Sequence, residues 1–460
     1  MIPKLRNIKP ETAFIILAVI YGLSFLMINP PFQAIDEKTH FLRASDVSEG
    51  HMMPSQVNGR SMVTITEGMA AVTAKFNDLS IYPYDKLTVG ELTAGLNIPI
   101  NEKFKTSNDI SIFAIVTYPP VPYFASALGM DLCKILNLPA LMLLYIGRLM
   151  NLFVWLLLIY LAIKITPVHK WVMFLLSLMP LTIYQGASLS ADSFTIAVSF
   201  LVIAIFLKFA FDEAKKSVTK LDLIIIFGLV LMLTLSKPVY FILMFLFFLI
   251  PSYKLGNRKK LFSTFAVMFL SIVVIESLWY LATHSLYIPE NANTSVHGQL
   301  LFIFSNPAFF PYVMGNTLWQ NGLGYLTSAV GRLGWDLYLP SWLICSYVAV
   351  LIATALLDKS DVKISRKQRF VIAGTFLFIF FMILVVEYVA WTPIGKDHVG
   401  GVQGRYFVPV APLLLLLLYN NKIPRDFKGL NKRWTIFMIL FVLLVLSFAL
   451  FEIINKYYMF

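Results

Sequence analysis

Residues 221–251 read LDLIIIFGLVLMLTLSKPVYFILMFLFFLIP, an apolar run whose only charges are Asp222 at its start and Lys237 near its middle. The hydrocarbon core of a bilayer is about 30 Å thick and takes about 20 residues of helix. This run is too long for one untilted crossing, and Ser236-Lys237-Pro238 divides it. Proline stops a helix and the lysine needs water, so the run reads as two membrane segments joined by a tight hairpin at a membrane surface. The whole chain has the same character. Of its 460 residues, 58% are hydrophobic and 13% are charged. Soluble domains carry about 25% charged residues, so the surface of a soluble protein of this size cannot be made. Cys133 and Cys345 lie in apolar surroundings, form no C-x-x-C pair, and read as small hydrophobes.

Apolar stretches place spans near 12–29, 141–163, 171–187, 191–207, 221–235, 239–251, 261–283, 341–357, 370–390, 407–419 and 434–454. The expected fold is an all-α polytopic membrane protein of about eleven helices, one membrane domain over residues 1–460. The first stretch follows Lys4, Arg6 and Lys9 as a signal peptide would, but no small-residue cleavage site precedes Pro30-Pro31, so it is taken as a helix. Alternate connections (1–11, 164–170, 208–220, 252–260, 358–369 and 420–433) hold 23 of the 37 basic residues. By the positive-inside rule these connections and the N-terminus are cytoplasmic, with the C-terminus outside. The net charge of +12 is thereby an orientation signal and a lipid attraction, with no nucleic acid needed. The expected location is a bacterial cytoplasmic membrane.

The opposite side carries the long segments. Residues 30–140 form a first extracytoplasmic loop with 11 of the 25 acidic residues, 284–340 form a second, and 391–406 a short third. Loops of such length usually have a function. Segment 119–136 reads as an amphipathic helix in the outer interface.

The residues able to do chemistry lie on that side. After Pro30-Pro31 come Asp36, Glu37, His40 and Arg43, spaced to share one face of a new helix. An acid, an imidazole and a guanidinium there can deprotonate an acceptor or bind an anion; a solvated helix start with acids favoured by the dipole accounts for the same residues. Asp36-Glu37-x-x-His40 also approximates H-E-x-x-H, with His51 nearby, but Asp replaces the first His and no second signature appears, leaving a membrane metalloprotease a distant alternative. Tyr118-Pro119-Pro120-Val121-Pro122-Tyr123 opens the interfacial helix or merely anchors it. Asp192 in Ser188-Leu189-Ser190-Ala191-Asp192 is a site carboxylate or part of a helix cap. Lys237 is one of the bases gathered on the outer surface, at the outer end of the hairpin, or a snorkelling lysine. Arg405 in Gln403-Gly404-Arg405-Tyr406-Phe407-x-Pro409, with Lys396 and His398 before it, can fork onto phosphate oxygens or anchor an interface. Arg148, Glu276 and Glu387 are ionisable residues within spans and functional candidates on that ground; Arg148 lies near the outer end of its span, and the two glutamates have no partner legible in sequence. Neither G-x-x-x-x-G-K-[ST] nor a helix-opening G-x-G-x-x-G is present. An outward site also lacks cytoplasmic nucleotide sugars, which favours a membrane-anchored activated donor.

The PPFQAIDEKTHFLRA block at 30–44 resembles that of an uncharacterised family of bacterial membrane proteins, a domain of unknown function. Its Pro-Pro-x-Gln-x-x-Asp-Glu-x-x-His, Tyr-Pro-Pro, Ser-x-Asp, Ser-Lys-Pro and Gln-Gly-Arg-Tyr-x-x-Pro blocks are matched in order over about 30–410, with Ile35 where Pro is expected. The layout is also similar to the GT-C glycosyltransferase superfamily. That resemblance implies an inverting transfer from a polyprenyl-phosphate sugar to a glycan, lipid or protein acceptor. It makes Asp36 the base, with Glu37 supporting it or binding Mg or Mn, and Asp192 a second acidic position. Lys237 and Arg405 become phosphate ligands, joined by Arg148, and His40, Arg43, Tyr118, Asp192 and His398 become substrate contacts. No other cofactor is implied. A lipid-linked glycan flippase is the alternative, disfavoured because the polar residues gather on one side and transporter sites sit near the midplane.

Overall fold

The computed structural model describes residues 8–76, 85–101, 103–111, 113–289, 293–358, 360–420 and 428–458, without the side chains of 428–432. Most of the basic connection 420–433 therefore lies outside the described residues. The chain is mostly helical. Among the described residues six helices are long and apolar enough to cross a membrane: Pro10–Ile28, Ala140–Ile165, Ala191–Phe211, Arg258–Leu286, Arg366–Ala390 and Arg433–Tyr457. The other five expected segments are helical but shorter. Met179-Pro180 splits 171–187 into Lys170–Ser177 and Pro180–Gly186, since proline has no N–H for the ladder. Lys220–Thr234 and Ser341–Leu357 have 15 and 17 residues. Segment 239–251 is a 3-10 helix, Pro238–Leu249, and 407–419 becomes a 3-10 turn, Gly404–Val410, running into Ala411–Leu417.

Ala191–Phe211 is the axis of the bundle. Its apolar window is 78% buried, against 17% for Arg258–Leu286, which lies at the periphery. Ala140–Ile165 packs along the axis and Pro10–Ile28 packs on its other side, where the fully buried Trp155 sits 5.7 Å from the Phe14 ring.

Two features depart from the expected fold. Residues 55–109 contain a three-stranded antiparallel sheet in the order β1 (Ser55–Val57), β2 (Arg60–Thr66) and β3 (Lys105–Asp109), so the fold is not all-α. Asn58 and Gly59 both have positive φ (51° and 74°), the backbone that joins two strands by a two-residue turn. The segment 284–340 is also no simple loop, since it holds the helices Val296–Ser305 and Phe309–Gly331. Segment 119–136 forms Phe124–Ile135, with Phe124, Leu128, Leu132 and Ile135 exposed along one face and Ala127, Met130 and Cys133 buried along the other, the amphipathic pattern expected of it.

Candidate functional site

The site begins with a structural ion pair. Pro30-Pro31 follows the end of Pro10–Ile28 and leaves the last carbonyls of that helix without intrahelical partners. Arg148, projecting from Ala140–Ile165, takes them: Nη1 donates to Leu26 O at 3.1 Å and Asn29 O at 2.8 Å, and Nη2 donates to Pro30 O at 2.9 Å. Its other two N–H groups bind Glu37, Nε to Oε1 at 2.8 Å and Nη2 to Oε2 at 2.6 Å. All five guanidinium donors are thus used. The same two carboxylate oxygens accept from Leu189 N at 2.9 Å and Phe32 N at 3.1 Å. Neither side chain is exposed. The pair ties four pieces of chain together and sets where Asp36 and Asp192 fall.

Asp36 precedes the helix Glu37–Ser48 with left-handed backbone (φ 63°) and makes no side-chain cap bond. Asp tolerates this region better than most residues, and the carboxylate is turned away from the helix. It meets Arg405: Nη2 donates to Asp36 Oδ2, and Nη1 reaches Ile35 O at 3.4 Å. Arg405 Nε lies 3.1 Å from Asp192 Oδ2 but out of line for a hydrogen bond. The other oxygen of Asp192 is paired with Lys237 Nζ. Asp36, Arg405, Asp192 and Lys237 therefore form one chain of alternating charge. The Arg405 side chain is 3% exposed and that of Asp36 32%, so Asp36 is the member open to solvent.

Local sequence explains each position. Ser190 caps Ala191–Phe211 by accepting from Asp192 N at 3.1 Å, so Asp192 sits in the first turn with its carboxylate free of the capping role. Lys237 is extended (φ −147°, ψ 110°), as a residue before proline must be, beyond the end of Lys220–Thr234. Its ammonium stands 4.4 Å from the Tyr406 ring centroid, a cation–π contact. Tyr240 OH donates to Tyr406 O at 2.6 Å and fixes that turn. Gly404 admits no Cβ: one would lie 2.2 Å from Tyr325 O and 2.4 Å from Ala329 N. The glycine lets the Arg405 turn press against Phe309–Gly331.

His40 lines the same region. Its Nδ1 and Tyr123 OH are 2.8 Å apart, and it feels Asp36, Asp192, Arg405 and Lys237 electrostatically. Burial lowers its pKa to about 4 against the pull of the two acids, so the imidazole is neutral. Tyr118 is half-buried and within reach of the fields of Asp192, Asp36 and Arg405.

Other expected members are elsewhere. Arg148 is enclosed by Glu37 and backbone carbonyls and is not a phosphate ligand; for the same reason Glu37 has no oxygen left for a metal or for Asp36. Arg43 follows His40 by three residues on the same helix but forms no ion pair with Asp36 or Asp192. It binds Asp46 at 2.8 Å and the carbonyls of His51 and Met52, pinning the end of its own helix. His398 lies in the 391–406 loop, paired with Asp397 at 2.7 Å. Among the described residues no three His, Cys, Asp or Glu side chains gather as metal ligands, and Glu37, the residue that would be the base of an H-E-x-x-H site, faces Arg148. Sequence reasoning left Glu387 without a partner. It lies in the last turn of Arg366–Ala390, within the electrostatic reach of Lys237 and Arg405.

The site thus draws on the first extracytoplasmic loop, the start of Ala191–Phe211, the Ser-Lys-Pro break and the Gln-Gly-Arg-Tyr turn. Those blocks lie within the region shared with known sequences. The chain belongs to the DUF2142 family of predicted membrane proteins. That family's model matches residues 19–414. No curated protein and no solved structure matches the chain. The family is defined by membrane character, so what its members do has to be argued from the site.

Proposed function

We propose that the protein is an integral-membrane glycosyltransferase of GT-C type, with about eleven membrane segments, that moves a sugar from a polyprenyl-phosphate donor to an envelope glycan, lipid or protein on the extracytoplasmic face. The observation that carries this reading is the charged chain Asp36–Arg405–Asp192–Lys237, buried except at Asp36 and assembled from four distant segments at one end of an apolar bundle. Two acids offset two cations in the resting site, so simple attraction of an anion is weak. The advantage lies in what the acids hold in place. A phosphodiester donor carries one negative charge and its polyprenyl-phosphate product approaches two. Groups fixed in advance where charge develops stabilise the transition state more than the ground state. Arg405, with Nε not in line with any acceptor, and Lys237 are such groups. Lipid-facing helices beside the site accept the polyprenyl tail, and the acceptor arrives past Asp36 from water.

The test is release of polyprenyl phosphate by the purified full chain from a panel of polyprenyl-phosphate sugars. Wild type releases it with transfer of the sugar, and Arg405→Ala lowers the rate by roughly 100-fold. Equal rates in both remove Arg405 from the reaction. Movement of the intact lipid across vesicles without release would establish the flippase instead.

A further inference from the structure

The proposed reaction requires a group to take the proton of the acceptor hydroxyl. Asp36, the base on the GT-C resemblance, is held by Arg405. Asp192 lies between Lys237 and Arg405, and Glu37 is saturated by Arg148 and two backbone N–H groups. A carboxylate whose oxygens are engaged by a cation or by N–H donors has fewer lone pairs free to take a proton.

Glu387 differs from all three. Among the described residues its carboxylate accepts no hydrogen bond and forms no ion pair. It lies beside Gly401: a Cβ there would be 2.9 Å from Glu387 Oε2 and 2.4 Å from the Trp391 ring. Gly401 has φ +81°, so the chain leading to Arg405 turns over this carboxylate only because a glycine is present. Glu387 feels Lys237 and Arg405, and it acts electrostatically on Tyr118, Tyr240, Tyr325 and Tyr406. It also sits at the negative end of its helix, where a charge is disfavoured. A structural acid in this position would have been given a donor.

We propose that Glu387 is the proton acceptor of the site, a catalytic residue, while Asp36 stays on Arg405 and orients it. This rests on the glycosyltransferase reading. As the acceptor oxygen bonds to the anomeric carbon, its proton passes to the Glu387 carboxylate. The bond from that carbon to the phosphate oxygen breaks, and its electron pair leaves on polyprenyl phosphate. Lys237 and Arg405 take up the added charge. Glu387 then returns its proton to water.

Dicyclohexylcarbodiimide, which modifies carboxyls in apolar surroundings that lack a cation partner, tests this on the full chain in nanodiscs. Glu276 is the internal control, since its Oε2 is buried without a hydrogen-bond partner in the peripheral helix Arg258–Thr283. Both glutamates should be modified, with saturating undecaprenyl phosphate slowing modification at Glu387 at least tenfold and at Glu276 less than twofold. In the release assay Glu387→Gln should lose at least 100-fold in kcat with donor KM within threefold, and Glu387→Asp should recover part of the loss. Modification of Glu387 unaffected by undecaprenyl phosphate, or Glu387→Gln turning over like wild type, overturns the proposal; in the latter case Asp36→Asn shows whether Asp36 is the base. If wild type binds undecaprenyl phosphate no better than Arg405→Ala does, the glycosyltransferase reading itself fails.

Discussion

Both oxygens of Glu37 accept two hydrogen bonds each, and all five N–H groups of Arg148 donate. Replacing a buried pair by apolar residues can be neutral, but removing one partner strands the other charge and costs about 3–5 kcal/mol. Arg148→Met should therefore lower thermal stability by that order and disorder the site with it. If melting in detergent is unchanged, the pair is not the clamp described. His40 supplies a pH prediction. Its folded pKa of about 4 is below the unfolded 6.5, so its contribution is present above pH 6.5 and is lost as pH falls toward 4. The loss is at most ~3 kcal/mol. The charged groups facing it, Asp36, Asp192, Arg405 and Lys237, are common to wild type and a His40→Gln variant. Stability measured from pH 7 to 4 should fall less steeply in His40→Gln, and parallel curves would mean that the imidazole is not held neutral.

The Arg405 turn is placed by its neighbour. Gly404 N donates to Ser328 Oγ at 3.2 Å while its Cα lies against the Phe309–Gly331 backbone. Gly404→Ala must push the turn away, since a Cβ cannot approach a carbonyl oxygen to 2.2 Å. Crosslinking between cysteines at positions 328 and 403 should weaken in that variant, and the rate of donor turnover should fall at least tenfold. Wild-type rates would show that this packing does not position Arg405. Element-scale features differed in how far the sequence disclosed them. Lys237 was legible because Pro238 breaks an apolar run, and the amphipathic helix over 124–135 because its apolar face repeats at helical spacing. The β-sheet left a usable signal in Asn58-Gly59 before the alternating Ser61–Thr66, but the polar, exposed strands β1 and β3 carry no hydrophobic pattern. The pairing of Glu37 with Arg148 was not legible, since 111 residues separate them, although Arg148 stood out as a charge within an apolar span. Glu387 was visible as an acid in an apolar helix, yet its neighbours come from four other segments.

At the scale of the molecule, six long helices among the described residues and several shorter apolar ones form a bundle whose charged cluster lies at one end. The basic connections 208–220 and 363–369 lie at the opposite ends of the helices whose near ends carry Asp192, Lys237 and Glu387. That asymmetry suits a reaction at one membrane surface on a substrate already in the lipid, and it explains why a net charge of +12 coexists with a site in which acids and cations balance. On the proposed function this cluster holds a polyprenyl-phosphate sugar. That reading is tested most directly by mass spectrometry of the lipids that copurify with the full chain, comparing wild type with a folded Arg405→Ala/Lys237→Ala variant of matched thermal stability. A polyprenyl-phosphate sugar enriched on wild type and reduced at least tenfold on the variant is the predicted result. The absence of any such lipid, or equal amounts on both proteins, would contradict it.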